Sequence, residues 1–133
     1  MNERNELEIS EVINKYKHLY RNLRPVYSEA IGEKIHFNSR GFKHLVFKGG
    51  HRRDNKTIYS RMVLVPLIIP VIKNCEEETE IRIKREIIDG KKIKVTYYAL
   101  EARVGNSSAR VRVITKKIGD NGKHYFQSIM KFN

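Results

Sequence analysis

The sequence is poor in the residues that staple a fold or span a membrane. It has one cysteine, Cys75, in 133 residues, so no intrachain disulfide can form and no thiolate cluster can hold zinc. That usage fits a reducing compartment, and a cytoplasmic location is expected. The longest apolar run, 62–72, is interrupted by Pro66 and Pro70 and is too short to cross a bilayer, so no membrane partner is expected. The first 30 residues contain Glu3, Glu6, Glu8 and Glu11 and no apolar stretch, which argues against a secretory leader. Gly49-Gly50 is not followed by the Lys-Ser/Thr of a phosphate-binding loop. The five histidines (18, 36, 44, 51 and 124) form no helical i,i+4 pair, and Glu76, Glu77 and Glu78 are adjacent residues that diverge in direction. Neither a metal site nor a cofactor is expected.

Acidic residues are also scarce, 15 against 27 Lys and Arg, which leaves a net charge of +12. The excess is not spread evenly. Segment 34–61 carries eight basic residues against Asp54 alone, and segment 102–131 carries seven against Asp120 alone. The rest of the chain is close to neutral. Like charge concentrated in this way raises the potential over one surface and attracts a polyanion, of which nucleic acid is the commonest. A basic, well-solvated surface without a ligand is the plainer reading.

What is present fits one domain, 1–133, with a helical segment at 1–33 and a core at 34–132. Ile9, Val12, Ile13, Tyr16, Leu19, Tyr20 and Leu23 recur at helical spacing, predicting a helix over 5–24 that Pro25 ends. Residues 34–37 and 42–47 read as strands joined by the turn-rich Asn38-Ser39-Arg40-Gly41. A mobile basic loop follows at 49–53, then a helix capped by Asp54 or Asn55 and split by Pro66 and Pro70. Alternating residues at 80–88, 91–103, 109–117 and 123–132 predict strands, with Asp89-Gly90 a two-residue hairpin turn. The expected class is α+β, with N-terminal helices packed on a four- to five-stranded antiparallel sheet.

Metal-free RNA cleavage needs a proton acceptor, a proton donor and cations around the phosphate. His44, in the expected second strand, can exchange a proton. Lys43, Lys48, His51, Arg52 and Arg53 surround it, and Arg61 opens the apolar helix. Arg110 and Arg112 alternate with Val111 and Val113 and so share one face, with Lys116 beyond them. Ser128 lies in the last strand, where alternation places it on the face of Phe126 and Met130. Each has a structural reading too: His44 as a hydrogen-bonded histidine beside an apolar strand, Arg61 in an ion pair, Arg110 and Arg112 as solvated strand residues, Ser128 as a small buried serine.

The order of features resembles a known group. A helix precedes Gly-Phe-Lys-His-Leu-Val-Phe (41–47); an arginine-bearing apolar helix comes next, then strands with Arg-Val-Arg-Val-Ile (110–114) and Tyr-Phe-Gln-Ser-Ile-Met (125–130). This looks like the fold shared by the barnase, EndoU, colicin and RelE nucleases (the BECR fold), in its phage-associated branch, over 34–132. The resemblance implies a metal-independent endoribonuclease, toxin-like, acting on RNA and restrained by an acidic antitoxin or immunity protein. It implies His44 as general acid or base, Arg61 and Arg112 on the scissile phosphate, and Ser128 as a hydrogen-bond donor to it. Glu101 is the one acid this plan leaves in the third core strand, where it would act as a base. The alternative from the residues alone is a non-catalytic nucleic-acid-binding module or regulator.

Overall fold

The computed structural model describes residues 3–104 and 109–132. A long helix, α1 (Glu3–Arg21), leads into two short strands, β1 (Val26–Ser28) and β2 (Glu33–His36). Then come α2 (Ser39–Val46), the two-residue strands β3 (Phe47–Lys48) and β4 (His51–Arg52), α3 (Asn55–Met62), a 3-10 turn (Val65–Leu67) and α4 (Ile68–Asn74). Four longer strands finish the chain: β5 (Glu80–Ile88), β6 (Lys91–Val104), β7 (Ala109–Ile118) and β8 (His124–Lys131). Six strands form one mixed sheet in the order β1-β2-β8-β7-β6-β5, while β3 and β4 make a separate ribbon. The class is α+β.

The antiparallel run β5–β8 follows directly from local signals. Asp89 and Gly90 both take positive φ (51° and 77°) between the paired Ile88 and Lys91, the geometry a two-residue hairpin turn demands. Alternation then decides what each face holds. Leu100, Val104, Val111, Val113, Phe126 and Ile129 enter the core, where Ile68, Val71 and Ile72 of α4 meet them. α4 lies across β6 and β7, as the apolar density of this segment predicts. Pro66 sits at the start of the 3-10 turn and Pro70 in the first turn of α4, where a backbone N–H has no intrahelical partner to lose. The prolines therefore divide the helix without leaving orphaned donors. By length and hydropathy Asn55–Asn74 could cross a membrane, yet it forms two helices and a turn that place Ile58, Met62, Val65, Ile68, Val71 and Ile72 in the core.

Three expectations need correction. Residues 42–47 are not a strand. Asn38 turns the chain as expected, but as a helix cap: its side chain accepts the Gly41 N–H, and Phe42, Leu45 and Val46 then bury one side of α2. His44 therefore sits on a helix. The loop at 49–53 is instead the tip and second strand of the β3–β4 ribbon, turned by Gly49 and Gly50 (φ 59° and 81°) with Lys48 opposite His51. The sheet has six strands rather than four or five, and it is not wholly antiparallel. β1 lies within the segment read as helical, and β2 runs parallel to β8.

Asp54 caps α3, its carboxylate accepting the Thr57 N–H at 2.7 Å. Asp54→Ala is expected to cost about 1 kcal/mol, read as a lower urea midpoint with an unchanged m-value.

Candidate nucleic-acid interface

β2 stops pairing early. It meets β8 only through Ile35–His124 and His36–Tyr125, so the outer edge of β8 beyond Tyr125 is covered by α2 and α3 instead of a strand. Gly41 lets α2 approach this edge. A Cβ there would lie 2.6 Å from the Phe126 carbonyl oxygen and 2.5 Å from the Tyr20 hydroxyl.

The same stretch of β8 carries a β-bulge. Thr115 pairs with Phe126 and Ile114 with Ser128, leaving Gln127 without a partner in the register. Thr115 and Ile114 face opposite ways, so the bulge puts Phe126 and Ser128 on opposite faces. Phe126 stays in the core. Ser128 instead meets Arg61, whose Nη1 donates to Ser128 Oγ at 2.8 Å and to the Ile129 carbonyl at 3.1 Å. Gln127 reaches α2, its Nε2 lying 3.0 Å from His44 Nε2.

Arg53 closes the group. Its Nε donates to the His44 carbonyl at 3.1 Å, and its charge is felt at both His44 and Arg61. Arg61 is half-buried; desolvation chiefly, then the Arg53 charge, weakens its hold on its proton. Neither arginine has a carboxylate partner among the described residues. Desolvation likewise keeps the His44 pKa below the ordinary histidine value, helped by the charges of Lys116 and Arg53. One small region therefore holds two guanidinium groups without a carboxylate partner among the described residues, an imidazole whose pKa is held low, a buried hydroxyl and a carboxamide. Among the described residues, no three His, Cys, Asp or Glu side chains converge.

The other residues singled out from the sequence fall around this centre or away from it. Lys43 shares a shallow groove with Arg40, His44, Phe47 and the Gly49-Gly50 turn. Lys48, His51 and Arg52 are exposed on the β3–β4 ribbon, with Arg52 bonded to the Asn55 side chain. Arg112 does not join His44, Arg61 and Ser128 in contact. It lies on the sheet face away from the helices, 3.4 Å from Glu101 and 3.9 Å from the Phe132 ring centroid. Glu101 is thus its ion-pair partner. Arg110 is exposed and also stands over Phe132. Lys116 is 3.4 Å from Glu86, and Glu86 also accepts the Tyr97 hydroxyl. Gln127 escaped the sequence reading because nothing in an alternating strand announces a bulge.

The histidines have a consequence for stability. His36, His44 and His124 are each held below the ordinary value, desolvation being the largest cause; at His124 it outweighs the adjacent Glu33. The unfolded chain therefore takes up these protons at a higher pH than the folded one. Their contribution is complete above the unfolded value and is lost as pH falls through it. The melting temperature is expected to drop between about pH 7.5 and 5.5, and His44→Gln to flatten part of that drop in a thermal-melt series.

Comparisons with family models, with curated proteins and with solved structures return no match for this chain.

Proposed function

We propose that this protein binds nucleic acid, RNA foremost, with a backbone phosphate seated at Arg53, Arg61 and Ser128. One observation carries the reading: two arginines share a half-buried site without a counter-charge among the described residues. A desolvated guanidinium without an anion is costly, and a phosphate supplies both the charge and the oxygens that fit its fork. Exposed Arg40, Lys43, Lys48, His51 and Arg52 continue the positive charge over α2 and the ribbon, a track for neighbouring phosphates. An acidic antitoxin or immunity protein would compete for the same face.

Metal-independent RNA cleavage is the second reading, favoured by an imidazole beside the arginine pair whose proton affinity is lowered by burial and by the charges of Lys116 and Arg53. His44 would accept the 2′-hydroxyl proton after exchanging Gln127 for substrate, as the resemblance to the barnase, EndoU, colicin and RelE nucleases implies. A toxin-like, phage-associated role belongs to this reading.

Purified protein with labelled single-stranded RNA in EDTA tests both. Binding whose log affinity falls linearly with log salt supports the first reading. RNA shortened by wild type and intact with His44→Ala supports the second. RNA bound but intact removes cleavage alone, and no salt-dependent binding to RNA or DNA overturns both.

A further inference from the structure

The two edges of the main sheet are unlike. β1 is three residues long and follows Pro25, so it offers little to a passing strand. β5 is nine residues long, pairs with β6 in unbroken register, and contains neither proline nor a bulge. It is also the outermost strand at its end of the sheet. No helix covers it to any extent, since α4 rests on β6 and β7. As a result Ile81, Ile83 and Ile87 on its helix-side face are 47%, 62% and 77% exposed. A free edge of this length carrying exposed β-branched residues is a template for strand pairing, and soluble proteins avoid leaving one uncovered.

The charges on β5 select the strand that fits it. In sequence it reads Glu80, Ile81, Arg82, Ile83, Lys84, Arg85, Glu86, Ile87, Ile88. A second copy laid parallel in register would set every charge beside its like. An antiparallel copy centred on Ile83 would oppose Glu80 to Glu86 and Arg82 to Lys84. Centred on Lys84, the same strand opposes Ile81 to Ile87 and Arg82 to Glu86, each twice by symmetry, and pairs all nine residues. Ile83 then opposes Arg85 and Glu80 opposes Ile88, and the one like-charge meeting is Lys84 with itself on the two-fold axis, where the long side chains can diverge into solvent. Cross-strand apolar pairs and opposite-charge pairs are what stabilise sheet neighbours.

We infer that β5 is a self-association edge: two copies of this chain join antiparallel through it, about a two-fold axis at Lys84, into one continuous sheet. Ile81 and Ile87 of the two strands then cover one another on the helix-side face, and the aliphatic stem of Arg85 from each copy lies over Ile83 of the other. Arg82, now 64% exposed and held only by Glu80 two residues away, turns to Glu86 of the second copy. The inference is independent of the nucleic-acid reading, because it uses none of the residues at the β8 edge.

Sedimentation equilibrium of the full chain, free of nucleic acid and in EDTA, tests it. Wild type is expected at twice the 15.7 kDa chain mass at about 100 μM. Arg82→Glu alone places glutamate opposite Glu86, and Glu86→Arg alone places arginine opposite Arg82. Each should weaken association at least tenfold. Mixing the two variants restores both opposite-charge pairs and should recover a mixed dimer. Circular dichroism melts confirm that each variant folds. A wild-type monomer at that concentration overturns the inference. So does a dimer indifferent to both substitutions, or a mixture no tighter than its parts.

Discussion

Arg61→Met is expected to weaken RNA binding about 10- to 100-fold, the loss of a charge-assisted contact worth roughly 1.5–3 kcal/mol. The slope of log affinity against log salt should shrink by about one phosphate contact. Thermal stability should move little. Methionine removes a half-buried cation with no carboxylate partner among the described residues, which favours the fold, and it removes the hydrogen bonds to Ser128 and the Ile129 carbonyl, which opposes it. A residue kept for ligand rather than for the fold shows this split between affinity and stability. If Arg61 were a structural tie, the melting temperature would fall steeply while the affinity of the remaining folded protein held. Fluorescence anisotropy at several salt concentrations, beside a melt of the same sample, separates the two outcomes.

Gly41→Val is expected to destabilise the protein by 3 kcal/mol or so, near the upper end for overpacking. Intrinsic preference points the other way, since glycine is the poorest helix former after proline and Gly41 lies inside α2. Packing decides the sign. The first added carbon would already overlap the Phe126 carbonyl oxygen at 2.6 Å and the Phe126 ring at 2.7 Å. The carbonyl belongs to a strand paired on its other side with β7 and cannot retreat alone. Tyr20 cannot yield easily either, because its hydroxyl donates to the Asn38 carbonyl at 2.6 Å and its ring packs on Phe37, Phe42 and Phe126. Urea unfolding measures the loss. Gly41→Ala should fall between wild type and Gly41→Val. An alanine variant more stable than wild type would show that α2 can move off β8.

These residues also show where sequence is readable. The strands β5 to β8, the Asp89-Gly90 turn, the Asp54 cap and the apolar cover of α4 all follow from neighbours in the chain, where period and turn chemistry speak directly. α2 did not, because 42–47 is a short apolar run and Asn38 serves a turn and a helix cap equally well. Its apolar residues 42, 45 and 46 have helical spacing, but six residues are too few for period alone to decide. The pairing of β2 with β8 joins segments almost ninety residues apart, and nothing local encodes it. At the candidate interface, Arg53 and Arg61 stood out as basic residues, but that they meet no counter-charge among the described residues is a property of the fold. Arg112 is equivalent to them in sequence alone. Its partner Glu101 comes from a neighbouring strand directly across the ladder, and only the register reveals that the charge is already met.

The short parallel join between β2 and β8 also sets an order of assembly. The β5–β8 meander and α1 need only near neighbours, whereas β2 must wait for a strand that follows it in the chain by almost ninety residues. On the ribosome, α2 and α3 emerge long before the β8 edge they cover. His44, Arg53 and Arg61 therefore have no Gln127 or Ser128 to meet until β8 has been made. A chain that stops short of β8 carries the charge of α2 and α3 but not the arrangement, and whatever this surface does begins only once β8 is in place.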